Sequence, residues 1–180
     1  LLVFDLDLSL EWDARNDTVF YSQLETALKQ ASTTLYDTSN GQVAIGQVNI
    51  YQAKENWTSS NIVVYGSNGI RPSANVGGIV LTSTHDIGVT GVISDAYTPG
   101  QIRMGPNWDP FGENSADLSQ EWRQALAHEL SHYLLFMPDN YIGISDEGSL
   151  VGLDCQGSFM TNTYDDEYSE LLTPVNWDGE

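Results

Sequence analysis

Hydrophobic and polar positions alternate along the start of the chain, from Leu2 to Trp12. This period of two predicts a β-strand that is buried on one face. Helical spacing follows, and the segment from Ser22 to Glu25 has the form of a capping box. We therefore predict a first helix that begins at Ser22 and ends near residues 37–41, with an apolar face made of Leu24, Leu28, Ala31 and Leu35.

Five further strands are predicted before residue 104. In residues 43–51 apolar and polar positions alternate, but the apolar positions are odd-numbered before Gly46 and even-numbered after it. A bulge near Gly46 would reconcile the two halves of this strand. The continuously apolar residues 62–65 fit the centre of a sheet. Residues 66–100 are expected to supply an edge strand and a cleft wall. Short strands are predicted there and just beyond, at residues 78–82, 87–93 and 101–104. The order predicts an α/β (α+β) fold in which a helix backs a mixed, twisted sheet.

An amphipathic pattern from Asp117 to Met137 predicts a second helix. Asp117 and Gln120 resemble a capping box at its start, and Pro138 is expected to stop it. The apolar stripe of this helix comprises Trp122, Ala125, Leu126, Leu130, Tyr133, Leu134 and Met137. Residues at the edge of the stripe are expected to lie where the buried face meets a cleft.

At that edge, residues 128–132 read His-Glu-Leu-Ser-His. His128 and His132 share one helix face because a turn takes about 3.6 residues, so their ring nitrogens can converge on one metal ion. Glu129 can then reach a water on that ion. This is the H-E-x-x-H pattern of zinc peptidases. The alternative is a pair of packed histidines on an amphipathic helix.

A catalytic zinc takes three protein ligands and keeps one position open. We favour Asp139 as the third ligand, because a chain that turns at Pro138 would bring it back to the two histidines. The alternatives are the carboxylates of a loop-like stretch and the remaining histidine of the chain, namely Asp146, Glu147 and His85.

The net charge of −19, with only six Lys plus Arg, excludes nucleic acid as a partner, because a phosphate backbone would be repelled. Such acidity suits solubility, basic substrates or Ca²⁺ sites. The cluster at residues 165–170 is either a Ca²⁺ site or an exposed helix start stabilised by the helix dipole, and we favour the helix start. No apolar run is long enough to predict a membrane span.

With Cys155 as the single cysteine, no internal disulfide can form. A buried thiol is the favoured role for Cys155, and a part in latency is the alternative.

The length of 180 residues suits one domain. Because the chain opens directly on a strand pattern, we expect residues 1–180 to be one catalytic domain excised from a larger chain.

Residues 158–161, which read Ser-Phe-Met-Thr, follow the second helix. At about thirty residues past a zinc-binding helix, this segment resembles the Met-turn of the metzincin peptidases. Met160 would then form an apolar floor beneath the zinc.

The spacing between the H-E-x-x-H motif and Asp139 narrows the resemblance to one family. Metzincins commonly read H-E-x-x-H-x-x-G-x-x-H or end in Asp, whereas here the Asp arrives one residue later. That spacing resembles the N-terminal metalloprotease domain of the calcium-activated chloride channel regulator family, with its pattern H-E-x-x-H-x-x-x-G-x-x-D-E followed by an aromatic residue. The similarity extends loosely to residues 31–36, 43–51, 102–106 and 158–160.

This resemblance implies that His128, His132 and Asp139 hold one catalytic Zn²⁺ and that Glu129 is the general base. It also implies a metzincin-like zincin fold with an edge strand, a backing helix and an active-site helix. The family further implies an extracellular or cell-surface location, additional domains in the parent chain and self-cleavage.

The chain departs from the family pattern at two positions. Phe136 stands where the family has Gly, so we expect the turn after the helix not to use a positive φ there. Asn140 replaces an acidic residue, so any role of that charge is lost or moved. Tyr141 and Tyr164 are candidates for stabilising the oxyanion, and a packed or surface tyrosine is the alternative for each.

Together these features predict a hydrolase: a zinc-dependent metalloendopeptidase that cleaves polypeptides with a Glu129-activated water, self-cleavage included. The alternative is a zinc-containing interaction or structural module of a surface protein with no general protease activity. Glu129 favours catalysis, because a structural zinc needs no general base.

Overall fold

The structure, a computed structural model, describes residues 1–80, 96–110, 118–152 and 158–164. Four sequence predictions lie outside those ranges, namely those on the strand at 87–93, His85, Cys155 and the acidic cluster at 165–170.

One mixed sheet contains five strands, which are β1 (Leu2–Leu10), β2 (Val43–Tyr51), β3 (Ile62–Val64), β4 (Ser73–Val80) and β5 (Ala96–Met104). Their order is β2-β1-β3-β5-β4, with β4 antiparallel to β5 and the other neighbours parallel. The fully buried β3 is central, as its continuous apolar run predicts. The predictions of a mixed sheet and of an edge strand from residues 66–100 are confirmed.

The predicted bulge in β2 is also confirmed. The pairing register between β1 and β2 shifts between Phe4 and Leu6, opposite Gly46. Asp5 Oδ1 accepts the Gln47 N–H at 2.8 Å, and a Cβ on Gly46 would collide with the Asp5 side chain. A glycine is therefore required where the two strands approach at the bulge.

Strand ends differ from the sequence predictions. β4 begins at Ser73 instead of Gly78, and β5 begins at Ala96 instead of Gln101, whereas β1 ends at Leu10 instead of Trp12. The extension of β4 pairs mainly with the predicted part of β5, and the extension of β5 pairs mainly with the predicted part of β4. Cross-strand hydrogen bonding thus imposes strand geometry on Gly- and Asn-containing segments of low β-propensity.

Helix α1 (Thr18–Thr38) begins earlier than predicted, because Asp17 is its N-cap and accepts the Phe20 N–H at 3.0 Å. The predicted capping box of Ser22 and Glu25 is wrong, since both residues lie inside the helix. Local sequence offers two competing caps here, and the more N-terminal one is used.

Helix α2 (Gln120–Leu135) carries the histidine motif and is capped by Ser119, whose Oγ accepts the Trp122 N–H at 3.3 Å. The predicted start at Asp117 is therefore wrong. The apolar stripe is confirmed: its first four members are buried, and Tyr133, Leu134 and Met137 pack partly buried against the core.

A single hydrophobic core joins both helices to the sheet. This core contains Leu6, Leu8 and Leu10 of β1 together with the apolar faces of α1 and α2. The two helices also contact each other, α1 packs on β2, and α2 packs on β4 and β5. The predicted backing helix is thus confirmed, and α2 lies beside the edge strand. Neither helix of the described chain has the length and apolar character needed to cross a membrane.

Helix α2 ends at Leu135, and Phe136 follows in the left-handed conformation with φ of 56°. The Phe136 N–H bonds to the His132 carbonyl at 3.0 Å, and the Met137 N–H bonds to the Ser131 carbonyl at 3.3 Å. The expectation that this turn avoids a positive φ is wrong. The hydrogen bonds at the helix end and the residues beyond it hold a phenylalanine in a conformation that favours glycine.

After this turn, β6 (Ile142–Ile144) and β7 (Leu150–Gly152) form a small antiparallel hairpin. The stretch around Glu147 was expected to be a loop, and its first residues instead belong to β6. Asp146 and Glu147 lie exposed in the connecting turn, where Gly148 has a φ of 77°.

Replacing Phe136 tests the backbone strain at the end of α2. Its side chain is 65% exposed, so little packing is lost on truncation. We expect Phe136→Gly to be more stable than Phe136→Ala by about 0.5–1 kcal/mol, because both lack the ring but only glycine adopts a positive φ without strain. Urea denaturation of the two variants measures this difference, and equal free energies of unfolding would contradict the strained turn.

Candidate metal centre

Three side chains converge beside the end of α2. The Nε2 atoms of His128 and His132 are 3.0 Å apart, and Asp139 Oδ1 lies 3.2 Å from each of them. Within the described part of the chain, no other group of three metal-ligating side chains comes together. The structure thus brings together the three residues that the sequence favours as ligands.

The triangle of these three atoms fits a metal ion. Ligand atoms placed tetrahedrally about 2.0 Å from a zinc-sized ion are about 3.3 Å apart, close to the observed separations. Asp139 Oδ1 is buried and makes no hydrogen bond of good geometry to a described residue. An unsatisfied carboxylate oxygen facing two imidazole nitrogens is costly without a cation. The set of two imidazoles and one carboxylate suits a divalent transition-metal ion.

The turn after α2 orients His132. Its Nδ1 lies 2.5 Å from the Met137 carbonyl oxygen, which the positive φ at Phe136 turns back toward the helix. A carbonyl only accepts, so this Nδ1 carries the proton and Nε2 keeps its lone pair for a metal. Phe136 is therefore part of the site's support, although nothing in its sequence position indicates that role.

Asp139 is held as a carboxylate. Burial by itself would raise its pKa, but His128, His132 and the Tyr141 hydroxyl hold the pKa of Asp139 well below its usual range. Burial by itself would lower the pKa of His132, yet the adjacent Asp139 carboxylate and the Met137 carbonyl together raise it above its usual range. The carboxylate is thus in its metal-ligating form throughout the physiological pH range.

Glu129 lies on the buried side of α2 and is only 9% exposed. Burial raises the pKa of Glu129 above its usual range, and the two imidazoles and the Ala74 N–H partly offset this rise. The Ala74 N–H comes from the edge strand β4, so the sheet fixes the carboxylate from the other side of the cleft. A carboxylate with a raised pKa is a better base near neutral pH.

The segment around Met160 contacts the ligand helix and the ligand loop. Met160 is fully buried, and the Phe159 ring meets the His128 ring edge-on at 6.1 Å. Asn140 joins this segment to the ligand loop: its Nδ2 donates to Ser158 Oγ at 2.8 Å, and its N–H donates to the Met160 carbonyl at 3.2 Å. The role of Met160 as an apolar floor beneath a zinc ion stays a prediction.

Asn140 therefore has a role that its departure from the family pattern did not reveal. An aspartate or glutamate at this position could not donate to Ser158 as the Asn140 amide does. The amide links the chain immediately after Asp139 to the turn at residues 158–161. The acidic residue of the family pattern that the motif resembles is replaced here by a neutral amide, which connects the two segments.

The two candidate tyrosines occupy different positions. Burial and a hydrogen bond to the Asp139 carboxylate raise the pKa of Tyr141 to about 12. Burial also raises the pKa of Tyr164, whose hydroxyl oxygen accepts the Trp108 Nε1–H at 2.8 Å. Tyr141 thus directs its proton to a ligand, whereas Tyr164 keeps its proton for a group in the cleft.

An open cleft of about 700 Å³ adjoins the three ligands. Its walls include the start of β4, the segment around Trp108 and the turn after Met160, with both tyrosines among the lining residues. Sequence reasoning missed four lining or supporting residues, which are Arg71, Arg103, Trp108 and Asn140. Their positions depend on long-range packing, and no motif spacing marks them.

Two of the other candidate ligands are not at this site. Asp146 and Glu147 are exposed in the hairpin turn and do not join the three-residue group. His85 lies outside the described residues.

Comparison with protein-family models and with curated proteins finds no match to this chain. Its function is therefore inferred from the residues of the site and from the motif resemblance alone.

Substituting Asp139 tests its role as a ligand. We expect Asp139→Ala to weaken Zn²⁺ binding by more than about 100-fold, since losing even an indirect partner of a ligand costs 10–100-fold. Competition with a chromogenic chelator measures the affinity, and Asp146→Ala is the matched control that should leave it unchanged. Equal zinc affinities of the two variants would show that Asp139 is not a ligand.

Proposed function

We propose that this chain is a zinc-dependent endopeptidase of the metzincin type, similar to the metalloprotease domain of the calcium-activated chloride channel regulator family. One observation carries the proposal: the buried Glu129 adjoins a group of two histidines and one aspartate that opens onto a large cleft. Zinc is proposed because the H-E-x-x-H spacing, with its built-in carboxylate base, is the pattern of zinc peptidases.

The composition of the group favours catalysis over a structural metal. Structural zinc sites are closed by four protein ligands, whereas three ligands and an open position are typical of catalytic sites. The cleft beside His128, His132 and Asp139 is large enough for a peptide segment. When bound, a zinc ion supplies Lewis acidity, which polarises a peptide carbonyl and acidifies water.

In this proposal Glu129 moves the protons. It takes a proton from the attacking water and gives it to the amine of the departing product. Its raised pKa suits both steps, because a carboxylate that is too acidic would accept the proton poorly. The Ala74 N–H and the packing of α2 hold the carboxylate in one position, which limits the reorganisation needed during reaction.

The edge strand β4 supplies a surface for an extended peptide. The Ile102 N–H bonds to the Asn61 carbonyl on the β3 side, so the Ala74–Ile102 pair is not hydrogen-bonded. The backbone of Ala74 therefore points away from β5, toward Glu129. A substrate strand lying along this edge would pass the base and the three ligands in an extended conformation, which suits cleavage within a polypeptide.

Tyr164 is the favoured donor to the developing oxyanion. Its oxygen is occupied by Trp108, so its proton can point into the cleft, and its raised pKa keeps the proton on at ordinary pH. Tyr141 instead supports Asp139. The same proposal includes a role in an extracellular or cell-surface parent protein with further domains, in which self-cleavage is one reaction.

Glu129→Gln separates catalysis from metal binding. We expect this variant to keep its zinc and to lose about 10²–10⁴-fold in turnover, because the amide cannot accept a proton. Incubation with a denatured protein mixture and mass spectrometry measure cleavage, and elemental analysis measures zinc.

Glu25→Gln is the matched control for the same chemical change, since Glu25 is exposed on α1 and paired with Lys29. It should cleave like the parent chain. Zinc in all three proteins without cleavage by any of them would instead support the alternative of a zinc-containing interaction module.

Paired tyrosine variants separate the two hydroxyl roles. We expect Tyr164→Phe to lower kcat about 10²-fold with little effect on zinc affinity, because one oxyanion donor is lost. Tyr141→Phe should instead weaken zinc binding about tenfold through Asp139. Steady-state kinetics and chelator competition on both variants test the assignment, and the reverse pattern would exchange the roles of the two residues.

A further inference from the structure

The basic residues of this acidic chain are distributed unevenly. Of its six Lys and Arg residues, Arg71 and Arg103 line the metal cleft, and neither forms an ion pair with a described residue. The other four have partners away from the cleft, in the pairs Arg15–Asp13, Lys29–Glu25, Lys54–Glu11 and Arg123–Gln30. Three basic residues thus lack a carboxylate partner in the described structure: Arg123, which is held by Gln30, and Arg71 and Arg103, which both line the candidate active site.

Arg103 is positioned by the edge strand. It lies on β5 opposite Ser73, the first residue of β4, and its Nε and Nη2 donate to Ser73 Oγ at 3.3 and 3.0 Å. Ser73 lines the cleft as well. A neutral hydroxyl holds the guanidinium without neutralising it, so its charge and remaining donors are available to a ligand.

Arg71 lines the same cleft. It lies two residues before the start of β4, and it is exposed. Burial raises the pKa of Tyr141 and of Tyr164, and the Arg71 guanidinium partly opposes both rises. Its charge therefore reaches the hydroxyls that flank the ligand group, close to where a scissile bond would lie.

The charges that line the cleft differ from those of the whole chain. Among the described lining residues, two arginines balance the carboxylates of Glu129 and Asp139, so a bound divalent ion would make the site positive. The net charge of −19 is spread over the whole chain and is screened beyond about 8 Å at physiological ionic strength. Direct contacts with Arg71 and Arg103 thus outweigh the general repulsion of an acidic substrate.

We propose that Arg71 and Arg103 form a carboxylate-binding subsite that makes this enzyme prefer peptides with an acidic group near the scissile bond. This specificity rests on the proposed endopeptidase function and goes beyond it. The group is an Asp or Glu side chain or the C-terminal carboxylate of a short peptide, because arginine recognises all of them through the same hydrogen bonds. The overall acidity of the chain would suggest the opposite preference for basic substrates.

The test compares quenched fluorescent hexapeptides that differ at one position, carrying Glu, Gln or Lys, with that position moved across the cleavage site. We expect kcat/KM to be about fivefold to tenfold higher for Glu than for Gln at one position, as one partly exposed ion pair allows. Each peptide is made with a free and an amidated C-terminus. Faster cleavage of the free form than of the amidated form of the same peptide identifies the terminal carboxylate, and a Glu preference that persists on amidation identifies the side chain.

Variants assign the preference to the two arginines. Arg71→Gln and Arg103→Gln should each reduce the ratio of Glu to Gln peptides toward one, and Arg71→Glu should favour the Lys peptide. Lys29→Gln removes the same charge from the exposed face of α1 and should keep the preference of the parent chain. Thermal melting of each variant confirms that the fold is intact, as expected for exposed side chains.

Binding of the same peptides to zinc-loaded Glu129→Gln, read by fluorescence anisotropy, separates this inference from the peptidase proposal. Tighter binding of Glu peptides that depends on both arginines supports the subsite even if the parent chain cleaves nothing. Cleavage without a preference for Glu, or with one that survives both Gln variants, overturns the subsite and leaves the peptidase function standing. No cleavage and no charge-dependent binding overturn both.

Discussion

The contact between the Met137 carbonyl and His132 Nδ1 is the interaction on which the site depends. It sets the imidazole tautomer and presents Nε2 to the ion position. The contact exists because Phe136 adopts a positive φ, which reverses the chain within two residues of the helix end. The same reversal carries Asp139 back to both histidines. One strained residue thus determines the ligand triangle, and the packing of the residues beyond it compensates for the strain.

The hydrophobic core supplies the rigidity that this arrangement requires. Trp122, Leu126 and Leu130 are fully buried against the sheet, so α2 has one position relative to β4. That position places Glu129 within reach of the Ala74 N–H and sets the cleft between helix and edge strand. Asn140 then ties the ligand loop to the turn below it. Stability and the geometry of the candidate centre therefore have the same physical source.

The net charge of the whole chain and the charges that line the cleft affect substrates over different distances. The chain as a whole is strongly acidic, yet its cleft is lined by Arg71 and Arg103, neither of which has a carboxylate partner in the described structure. Solvent screens the distant charges, whereas groups inside a cleft interact through a medium of lower dielectric constant. Composition alone suggested basic substrates. The local arrangement supports the opposite preference, because recognition depends on the nearest groups.

The sequence by itself determined what depends on local periodicity: the helix order, the strand order of the main sheet's described part, the bulge at Gly46, the apolar stripe of α2 and the pairing of His128 with His132 on one face. Helical geometry fixes that pairing wherever the helix lies. Only the structure decided the cap at Asp17, the hairpin of β6 and β7, the lengths of β4 and β5, the positive φ of Phe136 and the approach of Arg71 and Arg103 to the cleft. The cap and the Phe136 turn are choices between local alternatives that the sequence pattern does not rank, whereas the strand lengths and the arginine positions depend on contacts between residues far apart in the chain.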